Sequence, residues 1–277
     1  MLDQGTTAHN ITMQRARGDI AVALGLKAGQ TKLMRLRQAG SAKVFLPKIH
    51  GPVPELVCVN TAGGLASGDI FSIDVSAGPG TRATATTQTA ERGYRAEGPP
   101  ATVSVRLRAG DGASLAWLPQ ETILFQRAGL RRSIDAQLDG TARVLILESL
   151  VFGRAAMGES LDQVMLHDRW RVTRDGRLIY ADDLRFDGDV RAVLHAPVGF
   201  AGHRAAASLA YLAPGAGDLA QRFNRLDLPD GVRLSASGWE GVLSLRCLAP
   251  TAQLLRRALM RVLAPFDDHP LPRVWQS

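Results

Sequence analysis

From about residue 50 to residue 190, apolar and polar residues alternate over short stretches broken by Gly, Pro and Asp-Gly. Period-two alternation of this kind predicts half-buried strands. In Thr102 to Arg108, Val103, Val105 and Leu107 face one way and Ser104, Arg106 and Arg108 the other. Thr81 to Thr89 is rich in β-branched Thr, which suits a pleated surface. Helical spacing is read in two late segments. One is the Ala-rich Arg204 to Leu219, interrupted by Pro214 and Gly215. The other is Ala252 to Leu263, where Leu254, Leu255, Ala258, Leu259 and Val262 share a face. Thr251 is placed to cap that helix, and Pro265 follows it.

A repeat accompanies the alternation. Gly80, Gly112 and Gly140 each open a turn that runs into a strand, at spacings of 32 and 28, and a looser copy starts at Gly176, 36 further on. Units of that length cannot bury their own apolar face, so the pattern predicts stacked, β-helical-like layers. The fold class expected is mainly β: one domain over residues 1–277, with about two helices in the C-terminal third. In the first three copies the eighth residue after the glycine is polar: Gln88, Gln120 and Glu148, with Glu121 beside the second. These residues either meet solvent at strand ends or form a polar ladder able to hold a cation. Glu148 closes the apolar run Val144 to Leu147, so it needs a partner or a cation, and Arg154, six residues on, is a candidate partner.

Composition narrows the classes. Hydrophobic residues make up 45% of the 277 and charged residues 21%, an ordinary globular balance. No apolar run approaches the ~18–20 residues of a membrane span. Met1 to Asn10 has no basic start followed by an apolar stretch, so no secretory leader is expected. Cys58 and Cys247 are distant and in no Cys-x-x-Cys pair, which fits a reducing, cytoplasmic setting, and Cys58 reads as a small packed hydrophobe. The 33 basic and 26 acidic side chains leave a net charge of +7. The basic excess reads as scattered arginines without interleaved aromatics, so neither nucleic acid nor a membrane is expected as partner.

Motifs for nucleotide or hydrolytic chemistry fall short. Gly63-Gly-Leu-Ala-Ser-Gly-Asp-Ile70 has the glycine spacing of a phosphate loop but an acid where lysine is required. Asp69 then caps backbone N–H groups or coordinates something. There is no Gly-x-Ser-x-Gly or His-Glu-x-x-His, and the six histidines are dispersed. A metal-dependent hydrolase built on Asp69, Glu121 and Glu148 stays open as an alternative, without an evident histidine ligand.

Five segments together resemble one family: Asn60-Thr-Ala-Gly-Gly-Leu-Ala-Ser-Gly-Asp69, Thr86-Thr-Gln-Thr-Ala-Glu-Arg-Gly-Tyr-Arg95, Trp117-Leu-Pro-Gln-Glu-Thr-Ile-Leu-Phe125, Leu150-Val-Phe-Gly-Arg-Ala-Ala-Met-Gly-Glu159 and Leu271-Pro-Arg-Val-Trp275. They are similar, in order and spacing, to the urease accessory protein UreD (UreH) family. The similarity runs from about Gly29 onward, leaving residues 1–28 as an expected, poorly ordered extension. The resemblance implies a non-catalytic maturation factor that docks on the urease apoprotein, recruits UreF and, through it, UreG, and helps deliver nickel. It implies no tightly bound cofactor, only transient Ni²⁺ in an acidic interior tunnel. Carried over by motif, the path carboxylates are Asp69, Glu148 and Asp182; Glu91, where some relatives have a small residue, and Glu121, from the repeat, are weaker candidates. Arg154, Glu159, Arg273 and Trp275 are the candidate partner-binding residues. A docking module that never touches nickel is the remaining alternative.

Overall fold

Alternation and turn chemistry are read out as two facing sheets. The computed structural model describes residues 15–48, 51, 53–154 and 157–276. The chain begins with a hairpin of β1 (Arg17–Lys27) and β2 (Gln30–Gly40), then β3 (Ala42–Phe45) and β4 (Glu55–Asn60). It next shuttles between the sheets through β5 (Ile70–Ala77), β6 (Arg82–Thr87), the short β7 (Glu91–Gly93), β8 (Ala101–Ala109), β9 (Ser114–Trp117), the short β10 (Thr122–Leu124), β11 (Ala128–Leu138), β12 (Arg143–Phe152) and β13 (Gln163–Arg174). β14 (Arg177–Asp189) folds back on β13. After α1 (Arg191–His195), β15 (Ala205–Leu212), α2 (Ala220–Asn224), β16 (Arg233–Trp239), β17 (Val242–Ala249) and α3 (Ala252–Leu263) follow.

The first sheet has the order β14-β13-β11-β8-β5-β1-β2 and the second β16-β17-β15-β12-β9-β6-β4-β3. Strands β1, β5, β8, β11 and β13 are parallel, as are β4, β6, β9 and β12. The solenoid-like stack is therefore present. Ser72, Ser104, Ser133 and Arg169 lie in register, at spacings of 32, 29 and 36. The third glycine copy is thus one residue out of phase, and a one-residue slip turns a side chain to the other face. The fourth copy is not a further layer, because β14 runs antiparallel within the first sheet.

The turn glycines Gly80, Gly112, Gly140 and Gly176 all have positive φ, where a side chain would be strained. Their turns are tied from layer to layer. Gly80 donates to the Asp111 carbonyl, Asp111 accepts from Thr141 N and Oγ1, and Asp175 accepts from Gly140 N.

One apolar cluster fills the space between the sheets, with Val105, Leu107, Leu130, Ile134, Val144 and Trp170 deeply buried. A second lies between the outer face of the second sheet and α3, joining Leu145, Leu147, Leu209 and Leu245 to Leu255, Leu259, Val262 and Trp275. Cys58 is buried as expected, and burial pushes its thiol up to about 12. Thr251 Oγ1 accepts from Leu254 N at 3.2 Å, capping α3. Thr251→Ala should cost about 1 kcal/mol, read as a shifted urea midpoint at unchanged slope.

Two expectations are corrected. Arg204 to Leu219 is not a helix but β15 and a 3₁₀ turn over Ala216–Leu219. Its alanines pack on both faces of a sheet, which blurs the alternation. The expected N-terminal extension contains β1 from Arg17 onward, with Ile20, Val22 and Leu24 in the core. Its residues 1–14 lie outside the described residues. Among the described residues no helix is long and apolar enough to cross a membrane.

Candidate functional site

Three inward positions between the sheets are charged rather than apolar. Arg132 falls between Leu130 and Ile134 on β11, Asp168 between Leu166 and Trp170 on β13, and Glu148 between Ile146 and Leu150 on β12. Glu148 retains only 4% of its exposure. Arg132 Nε donates to Asp168 Oδ1 at 3.0 Å and Nη2 to Asp168 Oδ2 at 2.5 Å, while Nη1 reaches Glu148 Oε2 on the opposite sheet. The indoles complete the network: Trp117 Nε1 donates to Glu148 Oε1 at 2.9 Å and Trp170 Nε1 to Asp168 Oδ1 at 3.1 Å.

One guanidinium cannot neutralise two carboxylates, and water is nearly excluded. Burial therefore raises Glu148 to about 7, against the opposing pull of Arg132. Burial also opposes charge on Arg132, but Asp168 and Glu148 outweigh it and keep it protonated.

A cavity of about 130 Å³ adjoins this triad. Arg132, Glu148, Trp117 and Thr122 form one wall, and Asn60, Gln88, Gln120 and Glu91 supply further polar groups. Gln120 Oε1 accepts from Arg256 at 2.6 Å, whereas its buried Nε2 has no partner among the described residues. Glu91 accepts from Asn60 Nδ2 at 3.0 Å and from Arg92 N, and burial raises its pKa. On the far side of the triad Glu148, Ser208 and Arg246 are cross-strand neighbours in the second sheet. Arg246 pairs with Asp182 across the gap and also donates to Ser208. Glu91 and Glu148 thus line one polar cavity in an otherwise apolar interior, whereas Asp182 is half-buried and meets the exposed Arg246 at the outer end of the Glu148–Ser208–Arg246 row.

The other named residues lie elsewhere. Asp69 is buried at the mouth of β5, where Oδ1 accepts from Ala16 N and Oδ2 from Ala66 N, both at 2.8 Å. Of its two readings, this is the cap. Glu121 is across the second sheet, in a small pocket beside Leu255 and Arg256 of α3. Asp69, Glu121 and Glu148 do not converge, so the hydrolase constellation is not assembled. Among the described residues no three His, Cys, Asp or Glu side chains group as metal ligands. Arg154 does not reach Glu148. It forms paired 3.1 Å contacts with Glu159 and stacks 4.3 Å from the Phe125 ring centre. Arg273 is exposed near Lys48 O, at 3.5 Å. Trp275 is 2% exposed and donates to Leu118 O at 3.0 Å, which makes it a core residue rather than an exposed anchor.

Sequence reasoning missed Arg132 and Asp168. The signal was present, since each is a charged residue at an inward position of an alternating strand, flanked by two apolar ones.

The fold and its interior define a two-sheet β-stack carrying a buried ionic seam. The chain belongs to the UreD urease accessory protein family, whose model matches residues 16–276. It is 45% identical over 278 residues to the urease accessory protein UreD of Jannaschia sp., covering 100% of both chains. Against that of Xanthobacter autotrophicus it is 44% identical over 264 residues, covering 95% of this chain and 91% of the relative. Against that of Paracoccus denitrificans it is 44% identical over 266 residues, covering 96% and 94%. Its role is in urease maturation.

Proposed function

We propose that this chain is a non-catalytic, cytoplasmic scaffold of nickel insertion. It docks on the urease apoprotein, recruits UreF and through it UreG, and passes Ni²⁺ along its interior. The observation that carries the reading is the polar cavity lined by Glu91 and Glu148, with the row Glu148, Ser208 and Arg246 leading from it to Asp182 at the half-buried rim. Carboxylates hold Ni²⁺ more weakly than imidazole or thiolate clusters, so an ion bound there can move on. A passing cation would favour ionised Glu148 and release its proton.

The test measures Ni²⁺ binding and urease activation side by side for Asp69→Ala, Glu148→Ala and Asp182→Ala. Glu148→Ala and Asp182→Ala should lower activation about ten- to hundredfold with UreF still co-purifying. Asp69→Ala, which frees two backbone donors, should lower activation and assembly together. Full activation by the Glu148 and Asp182 variants would sink the conduit.

A second reading, docking without nickel contact, draws support from the arginine partners of Glu148 and Asp182. Glu148→Gln separates the two. It preserves shape but not charge, so activation falls in a conduit and survives in a docking module.

A further inference from the structure

The positive charge of this protein is not scattered. Residues 15–48 carry eight basic side chains against the single acid Asp19, a surplus of seven that equals the net charge of the whole chain. All four lysines, Lys27, Lys32, Lys43 and Lys48, fall in this stretch. Elsewhere acids and bases are equal in number. On the outer face of the first sheet they are matched in space, as in Arg106 and Arg108 with Asp74, Arg169 with Asp135 and Arg171 with Asp183.

Three of these cations, Lys32, Arg35 and Arg37, lie on a free strand edge, and Lys27 ends the strand before it. Among the described residues β2 pairs with β1 alone. Every residue of β2 is exposed except Thr31, which is half-buried, because the facing strand β3 is only four residues long and leaves β2 overhanging. Leu33, Met34 and Leu36 are 40%, 63% and 40% exposed. Arg37 pairs with Asp19, whereas Lys32 and Arg35 make no ion pair among the described residues. Lysine at an edge can serve simply to discourage pairing. That role does not call for three exposed apolar side chains on the same strand as Lys32, Arg35 and Arg37.

We infer that β2 is a docking edge for an acid-bearing strand of a partner protein, added to the first sheet next to β1. Open N–H and C=O groups of an edge are satisfied by a strand and not by lipid tails. The lack of any aromatic residue in β2 removes the stacking platform expected for single-stranded nucleic acid. A second copy of this chain would bring a like surplus against the first. The inference rests on the scaffold reading, since the partner belongs to the urease assembly.

The test is Lys32→Glu/Arg35→Glu, two exposed changes on the full-length protein. Binding to purified urease apoprotein and to UreF is measured at two salt concentrations, with thermal unfolding as control. Hydrogen exchange of residues 30–40 is followed in the wild-type complexes. The expected result is affinity for one of the two partners reduced at least about tenfold, a loss of ~1.4 kcal/mol. The wild-type salt dependence should weaken, the melting temperature stay unchanged, and β2 amides be protected in that same complex. Wild-type affinity for both partners with unprotected β2 amides overturns the inference and leaves the scaffold reading standing. A wild-type chain that binds neither partner overturns both. Loss confined to self-association, or to binding of anionic vesicles or single-stranded DNA, also overturns it.

Discussion

Arg132→Met is expected to lower stability by about 3–5 kcal/mol at neutral pH, because two buried carboxylates lose their shared cation. The variant should recover part of that loss as pH falls and the carboxylates take up protons. Glu148 gives the pH dependence its sign. Its folded pKa, about 7, stands above the ordinary 4.5, so between those values the native state holds a proton that the unfolded chain has released. Stability due to this group is then fully present below about 4.5 and is lost as pH rises to about 7. His269 slopes the other way. Burial lowers it from 6.5 to about 4, so its contribution rises with pH over that range. The wild-type profile mixes both slopes, and its difference from Glu148→Gln isolates one. Urea unfolding of wild type, Glu148→Gln and Arg132→Met at several pH values from 4.5 to 8 checks this. A wild-type minus Glu148→Gln difference independent of pH would mean that Glu148 is ionised throughout.

Trp275→Ala should cost about 3–5 kcal/mol, since it empties a large site between α3 and the second sheet. Arg256 stacks 5.1 Å from the Trp275 ring centre and would lose that cover. Trp275→Phe keeps most of the burial and loses chiefly the bond to Leu118 O, so about 1 kcal/mol is expected. Denaturant unfolding of both variants is the measurement. Equal, small losses would show that the tail detaches from the core. Removing residues 271–277 would therefore take away a core residue as well as the exposed Arg273. A weakened UreF interaction in that truncation would report unfolding as readily as a lost contact.

The layered fold was legible because its turns need left-handed glycines at a near-constant interval, and those are visible in one dimension. The α3 helix was legible for the same reason, since its cap, apolar stripe and closing proline are local. What escaped depends on pairing between distant strands. Arg154 looked like the partner of Glu148 because it is six residues away, whereas Arg132 faces Glu148 across the gap between sheets. The run Val144 to Leu147 hid its two faces, because β12 is covered by the first sheet on one side and α3 on the other. Glu148 was visible in the repeat, whereas Glu91 and Asp182 entered only with the resemblance. Their guanidinium and amide partners could not be named without the register of both sheets.

The ties between successive turns bear on how the molecule fails. Gly80, Asp111, Thr141, Gly140 and Asp175 link each layer only to its neighbours, so the stack is coupled like beads on a line. Disturbance at one end decays over a layer or two before it reaches the middle. The charged triad lies on β11, β12 and β13, three strands and more from the β1–β2 edge, so fraying of that edge can proceed while the triad keeps its shape. The β1–β2 end of this protein can thus breathe on a clock separate from that of its buried charges.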